Sequence, residues 1–399
     1  MQGGDGVKHV NVLDIGSSKV VAICAGRIGQ DGMAVYGAGI ENYAGYRFGE
    51  LIDKQDLLRA IRESLRVAQK ESGLKMNNIA VSVPAPFTKL THGTGSLRFE
   101  AKPKRITGAD IDMLINNSLQ EETLPGFSLM HSTPYAYVVD GNACTELPED
   151  ALVTDIEAKI SHVYVDDAFM KTVYEAVGQF GHCSMCVSAL LCEAMMLVPE
   201  AHWQEPAVII DIGYTHTDIC VLQYAALMGM KTVEVGGMHI ANDIAYCLQV
   251  SKNVAETIKR NYVFNIDYQD SVELLRTPEG TKSVNRAMIQ MIVEERAGEL
   301  CTLIYEALCE QGVSLTGDTP IYVTGGGLSM MRGSREFMEH VLEHRVRKEM
   351  PWMPRLNSAN YASLYGAVEF ILSTGRTDML LYHAEEANVF EKLRGFFTR

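Results

Sequence analysis

The chain reads as an α/β protein built from two related lobes that share one cleft, with a smaller α+β module inserted into the first lobe. Three observations lead there. An apolar strand, Val10 to Leu13, runs into Asp14-Ile15-Gly16-Ser17-Ser18-Lys19, and a second apolar run, Val20 to Ala25, leaves; that order is strand, tight turn, strand. The same order returns at Val208 to Ile219, where Asp211-Ile212-Gly213-Tyr214-Thr215-His216-Thr217-Asp218 occupies the turn. The two aspartates are 211 − 14 = 197 positions apart, a spacing that suggests duplicated halves. Third, a late buried strand, Pro320 to Thr324, opens directly into Gly325-Gly326-Gly327, with a helix expected near Met330.

The chemistry of these turns points to an anion. Glycine lets backbone approach a ligand closely, and a tight turn leaves amide N–H groups and hydroxyls pointing inward. Gly16, Ser17, Ser18 and Lys19 in one turn, and Gly213, Tyr214 and Thr215 in the other, suit a phosphate. An aspartate at a strand end, Asp14, suits Mg²⁺ held through water. Three glycines between strand and helix admit a flat ring system and its sugar. One such hairpin alone is a weak signal. Coincidence between two glycine turns is the alternative, and the matching flanks speak against it.

Composition sets the bounds. A chain of 399 residues is too long for one compact core. Hydrophobic residues make up 47% and charged ones 21%, the balance of a globular protein, and a net charge of −15 disfavours nucleic acid as a partner. There is no run of about twenty apolar residues to span a bilayer, and Met1 to Val7 is polar without a leader pattern. Nine scattered cysteines imply reduced thiols in a cytoplasmic setting. His182-Cys183-Ser184-Met185-Cys186 superficially resembles a redox or zinc motif; without a second such pair, small buried residues explain it better.

Taken in order, strands are expected at Val10–Ile15, Val20–Arg27 and Met33–Gly39. A helix follows at Lys54–Ser72, with Leu57, Leu58, Ile61, Leu65 and Ala68 as its apolar stripe and Gly73 as its cap. Ile79–Val83 is a short strand. From Pro86 to Val165 the pattern changes to an extended Thr88–Phe99, a helix capped by Thr107 and reaching Gln120, and strands Leu129–Val139 and Thr154–Val165. We read this as an interaction module. Asp166 caps a helix to Phe180, a strand runs through Val187, and a helix covers Leu190–Leu197. After the second hairpin come a strand at Lys231–Val235, Gly236-Gly237, helices Met238–Leu248 and Val254–Tyr262, and a polar, loop-like stretch at Asn265–Lys282. A long amphipathic helix spans Asn285–Gln311, and a last helix spans Tyr361–Ser373. In the tail, Val389, Phe390, Leu393, Phe396 and Phe397 fall on one helical arc, with Lys392 and Arg394 outside it. That pattern suits an interfacial membrane helix; a terminal helix docked on the protein itself is the alternative.

Two phosphate hairpins, a late strand-Gly-Gly-Gly turn and an acidic chain together resemble the actin/DnaK-type ATPase superfamily, and within it the bacterial cell-division family FtsA. Leu13–Lys19 resembles the first phosphate motif, Ile210–Gly213 with Thr215 and Thr217-Asp218 the second, and Val323–Gly327 the adenosine motif. Gly236-Gly237 with Asp243-Ile244-Ala245 resembles the segment between them. Ala255–Lys259 resembles the helix whose Glu256 and Lys259 meet ribose and base. The resemblance implies an actin-like, ribonuclease H-like duplicated fold. It places subdomain 1A at 1–85, 166–200 and 361–382, the insert 1C at 86–165, subdomain 2A at 201–239 and 298–360, subdomain 2B at 240–297, and a membrane-targeting tail at 383–399. It implies ATP or ADP with Mg²⁺, contacted by Asp14, Gly16, Ser17, Ser18, Lys19, Asp211, Gly213, Tyr214, Thr215, Gly237, Glu256, Lys259 and Gly325 to Gly327, the metal held through water by Asp14 and Asp211. It further implies self-polymerisation, capture of the FtsZ C-terminal peptide near 240–297, other divisome partners, and a peripheral place on an anionic membrane surface, on the cytoplasmic side at the division site.

Two departures bear on turnover. Tyr214 and His216 stand where many superfamily members have Gly and Thr. The position expected to orient the attacking water is Ala189, with the nearest carboxylate, Glu193, one helical turn on, about 5 Å away. Slow hydrolysis is therefore expected, with ATP acting mainly as a structural ligand. Competing readings are a PilM-type pilus-assembly adaptor and a small-molecule kinase, the latter needing a general base that the sequence does not offer.

Overall fold

The computed structural model describes residues 9–28, 32–99, 102–119, 124–147, 152–269, 271–277, 280–313, 319–349 and 355–374. The expected tail helix with Val389, Phe390, Lys392, Leu393, Arg394, Phe396 and Phe397 lies outside the described residues.

The first lobe opens with β1 (His9–Ile15), β2 (Lys19–Ile28) and β3 (Gly32–Asn42), followed by α1 (Lys54–Ser72) and β4 (Asn78–Val83). α1 begins because Asp53 accepts hydrogen bonds from the amides of Gln55 and Asp56, and ends at Gly73, whose φ of 67° few other residues adopt at low cost. Its stripe of Leu57, Leu58, Ile61, Leu65 and Ala68 is buried on the sheet. The approach is close: a Cβ at Gly39 would lie 2.0 Å from the Ser64 carbonyl oxygen.

The insert contains β5 (Thr88–Arg98), α2 (Gly108–Ser118), β6 (Phe127–Val139), β7 (Asn142–Cys144) and β8 (Asp155–Asp166), with sheet order β7-β6-β8-β5. α2 stops two residues short of the expected Gln120. The chain then returns through α3 (Asp167–Val177), capped by the Asp166 carboxylate, to β9 (His182–Ser188) and α4 (Ala189–Leu197). A bulge in β9 between Cys183 and Met185 turns Cys183 and Cys186 to the same side, with their sulfurs 3.5 Å apart.

The second lobe runs β10 (Ala207–Ile212), β11 (Thr217–Gln223), β12 (Ala226–Val233), α5 (Gly237–Leu248), α6 (Lys252–Asn261), β13 (Val272–Thr277), β14 (Gly280–Asn285), α7 (Arg286–Glu310), β15 (Ile321–Thr324), α8 (Ser334–Leu342) and β16 (Val346–Arg347); α9 (Ala362–Thr374) returns to the first lobe. Two expectations are corrected. The stretch 265–282 is not all loop: β13 and β14 pair antiparallel from Val272↔Asn285 to Thr277↔Gly280. The expected helix near Met330 begins only at Ser334, because the chain turns through Gly333 at φ 75° first.

The duplication is explicit in the sheets. The first is ordered β9-β4-β1-β2-β3 and the second β16-β15-β10-β11-β12. In each, a central strand pairs antiparallel with the next strand in sequence and parallel with a later one. Alternation along β10 decides what faces the other lobe. Val208, Ile210 and Ile212 pack into the core beneath α5 and α7, while Ile209 joins the core shared with the first lobe. Asp211, two residues past Ile209, shares that inner face. Among the described residues no helix is long and apolar enough to cross a membrane.

Candidate functional site: paired hairpins at the lobe junction

The two hairpin turns are superposable in their bonding. Gly16 N–H donates to the Lys19 carbonyl at 2.9 Å, and Gly213 N–H donates to the His216 carbonyl at 2.9 Å. In the flanking ladders Asp14 pairs with Val21 and Asp211 with Asp218. Lys19 and His216 therefore hold the same place in the two turns. The turns meet: the Thr215 N–H reaches the Ser17 hydroxyl at 3.4 Å, and the Thr215 hydroxyl donates to the Tyr46 carbonyl at 3.3 Å. Tyr46 belongs to a short hairpin, Tyr46–Arg47 with Glu50–Leu51, that projects from the first lobe towards α5.

The third motif packs on the second hairpin. Gly327 N–H donates to the Ile212 carbonyl at 2.7 Å, and Gly237 N–H to the Gly213 carbonyl at 3.0 Å. A Cβ at Gly325, whose φ is 90°, would lie 2.1 Å from an Asp211 carboxylate oxygen. Only glycine lets these three segments lie backbone to backbone. Gly326 instead faces Asn360, where an added Cβ would come within 3.0 Å of the Asn360 Cβ.

Charge is concentrated at this junction. Asp14, Asp218 and Glu193 are each 6% exposed or less, and Asp211 lies beside them on the inner face. Burial pushes the Asp14 and Glu193 carboxyls above the usual range; for Glu193 the neighbouring Asp211, Asp14 and Asp218 add to it. Asp211 rises to about 7, through burial first and then the Asp218 charge. Glu193, which the helical register sets one turn beyond the water-orienting position, is thus buried within electrostatic reach of three aspartates. Ala189 offers no polar side-chain atom.

Two cations answer these carboxylates, in opposite ways. His216 is enclosed: one ring nitrogen lies 3.1 Å from Asp218 and the other 2.9 Å from the Thr215 hydroxyl, while Asp218 also accepts from Thr232 at 2.5 Å. Burial opposes charging of the ring, but Asp218 and then Asp211 outweigh it and hold its pKa above the ordinary value. The Lys19 ammonium is buried with no hydrogen-bond partner among the described residues, and burial lowers its pKa to about 8. It lies 3.7 Å above the centre of the Tyr361 ring.

The remaining sequence-derived residues bond at the two turns or to the start of α5. Tyr214 turns its ring outward, 38% exposed, rather than into the turn, and its carbonyl accepts from the Met238 amide. Lys259 is buried on α6, 2.8 Å from Glu256 and donating to the Gly237 carbonyl at 3.1 Å. Ser18 sits at the turn, its carbonyl accepting from the Tyr43 amide. Sequence reasoning missed Tyr361 and Ser363, the latter donating to Asp14 at 3.1 Å. Neither stands in a glycine turn or a charged run, so only the return of α9 to β1 reveals them.

The donor set accommodates a magnesium nucleotide. An unpartnered buried ammonium suits an anion, and Asp14 and Asp211, within electrostatic reach of it, would accept hydrogen bonds from metal-bound water. Among the described residues no three His, Cys, Asp or Glu side chains converge to bind a metal directly.

The profile of the family described as "Cell division protein FtsA" matches residues 208–366. Curated relatives of that description include one from Pseudomonas aeruginosa, 25% identical over 355 residues and covering 86% of this chain and 84% of the relative. Another, from Bacillus subtilis, is 22% identical, covering 91% and 83%. Among solved structures, a PilM-PilN type IV pilus biogenesis complex has a TM-score of 0.62 at 14% identity, covering 92% of this chain and 99% of that one. MreB5 of Spiroplasma citri bound to ADP scores 0.53 at 11% identity, covering 91% and 96%. At those identities the structures speak to the fold alone, and the fold is actin-like. Sequence motifs, family profile and relatives matched over most of their length point the same way: the chain is similar to the FtsA cell-division proteins.

Proposed function

We propose that this protein acts in bacterial cell division as an adenine-nucleotide-dependent adaptor. ATP or ADP with Mg²⁺ would lie between the two hairpins. Backbone amides and hydroxyls of Gly16–Ser18 and Gly213–Thr215 cradle the phosphates, and Lys19 supplies charge. Asp14 and Asp211 hold the metal's water, Gly325–Gly327 admits the adenosine, and Glu256 with Lys259 borders the ribose and base. The observation that carries this reading is the Lys19 ammonium, buried without a hydrogen-bond partner among the described residues, in the turn whose Ser17 meets Thr215 of the other. A bound polyphosphate supplies the missing acceptors. Calorimetric titration with Mg-ADP tests it: saturable one-to-one binding is expected, and no heat at millimolar ligand sinks the reading.

Turnover is expected to be slow. Glu193 is the only carboxylate on α4, and burial, with three aspartates beside it, raises its pKa well above the ordinary carboxylate value, which disfavours the ionised form a base needs. Nucleotide then serves to fix the two lobes, and the clamped form polymerises. The tail at 383–399 tethers filaments of FtsZ to an anionic membrane, with the FtsZ C-terminal peptide held by the module at 240–297. There Arg286 lies 4.5 Å above the Tyr268 ring and 3.6 Å from Glu273, beside exposed Val272 and Leu274. Full-length protein should co-float with anionic vesicles and carry FtsZ with it. A truncation after Ala387 should lose at least nine-tenths of vesicle binding while still co-sedimenting with FtsZ. Equal flotation of both forms sinks the tether.

A further inference from the structure

We infer that Tyr361 is a positioning residue for the phosphate end of the nucleotide: its ring fixes the Lys19 ammonium without neutralising it, leaving the full charge for the ligand. The inference rests on the nucleotide reading above and goes beyond it in assigning a residue outside the three motifs.

A buried lysine is ordinarily held by a carboxylate, and a ligand phosphate must then displace that carboxylate. Here Asp14 and Asp211 lie within electrostatic reach of Lys19, yet neither accepts a hydrogen bond from it. Among the described residues the group seated against the ammonium is the Tyr361 ring, 3.7 Å from its centre and well inside the range of cation–π attraction. A ring face attracts a cation through its quadrupole and carries no net charge, so the ammonium is located but not cancelled. The sister turn makes the contrast. His216, in the equivalent place, is closed off by Asp218 and Thr215 and has no free nitrogen. One cation is committed to the structure and the other is kept available.

The segment that carries the ring is held from both lobes. Tyr361 N–H donates to the Ser358 carbonyl at 3.0 Å. The preceding Ala359 carbonyl accepts from Thr324, at the end of β15, at 3.1 Å. Two residues on, Ser363 donates to Asp14 at 3.1 Å. The segment 358–363 thus touches the glycine triplet through Asn360, the first phosphate turn through Tyr361 and the metal-side aspartate through Ser363. Displacing the backbone that carries the ring would disturb contacts to both lobes.

The test is Mg-ADP and adenosine binding to the wild type, Tyr361→Phe and Tyr361→Leu, each checked for an unchanged melting transition. Phenylalanine keeps the ring face, so Y361F should bind Mg-ADP within twofold of wild type. Y361L should bind it about 5- to 20-fold more weakly, with adenosine affinity unchanged. Equal Mg-ADP affinity in Y361L, or equal losses for ADP and adenosine, overturns the inference. Should Y361L fail to fold, the wild type decides by NMR with Lys19→Arg as the assignment control. The Lys19 ε-methylene protons should be shifted upfield by the ring and stay so when Mg-ADP is added; loss of that shift on binding overturns the inference. A wild type that binds no nucleotide at millimolar concentration removes the underlying reading, a result distinct from binding that ignores Tyr361.

Discussion

Replacing Lys19 by Met should weaken Mg-ADP binding by about 10- to 100-fold and, at the same time, raise the stability of the unliganded protein. The two signs have one cause. Methionine fills nearly the same volume and removes only the charge. A hydrogen bond to a charged group contributes roughly 1.5–3 kcal/mol, which sets the loss of affinity. In the absence of ligand the ammonium is a buried cation without acceptors, and burial lowers its pKa from 10.5 to about 8. At about 1.36 kcal/mol per pKa unit that amounts to a cost of about 3 kcal/mol below pH 8. That cost is already net of the attraction to Asp14 and Asp211, both of which raise the Lys19 pKa, and methionine packs less well than the lysine stem it replaces. The net increase in unfolding free energy at pH 7 should be about 1–3 kcal/mol. Because a lowered lysine pKa destabilises fully below its folded value and not at all above its unfolded one, the difference should close as pH climbs from 8 to 10.5. Urea unfolding and calorimetric titration of the same preparations check both halves. A variant that binds Mg-ADP like wild type places the phosphate elsewhere. One that is destabilised at pH 7 shows that Lys19 has a structural partner.

How far the sequence announced this site depends on the kind of signal each part carries. α1 was legible from an apolar stripe of period 3.6 and from Gly73, which mark its face and its end independently. The two hairpins were legible because the same rare order occurs twice, and the sheets repeat the same strand order around them. β13 and β14 were hidden. Glu273, Arg276, Lys282 and Ser283 give the segment a polar composition, and a two-stranded ribbon needs no alternating apolar face to form its ladder. The start of α8 was misplaced because a glycine triplet normally feeds a helix at once, whereas here the chain spends Leu328 to Gly333 packing Leu328 and Met331 into the core before turning at Gly333. Tyr361 and Ser363 were invisible for a deeper reason. Their role depends on which strand the last helix meets, and no local pattern records a contact 349 positions distant, such as Ser363 with Asp14.

The same crowding of carboxylates should invert the usual pH dependence of stability. In the unliganded protein Asp211 has a folded pKa of about 7 against 3.8 unfolded, so the folded state binds more protons between those values. Stability then falls as pH rises from about 4 to 7. Glu193 and Asp14, also raised by burial, act in the same direction. So does His216: its folded pKa lies above the unfolded 6.5, and the stabilisation it provides is present below 6.5 and lost as pH rises through the folded value. Exposed carboxylates with lowered pKa, such as Glu71 held by the Ala38 amide and Arg355, act oppositely and set the acid limb below about pH 4.5. The melting temperature of the unliganded protein should therefore peak at about pH 5–6 and decline towards pH 8. Magnesium nucleotide should reverse the decline, because the metal's water needs Asp211 ionised; Mg-ADP affinity should rise about tenfold from pH 6 to 8. Asp211→Asn separates the two halves. It should flatten the decline of the unliganded protein above pH 6 and abolish the rise in Mg-dependent affinity, while the Gly39-to-Ser64 packing of the first lobe, remote from the cleft, stays as it was. Thermal melts between pH 5 and 8.5, with and without Mg-ADP, read both effects. A melting curve that rises monotonically to pH 8 in the absence of ligand would mean that the aspartates at the lobe junction are already ionised and neutralised by partners other than Lys19 and His216.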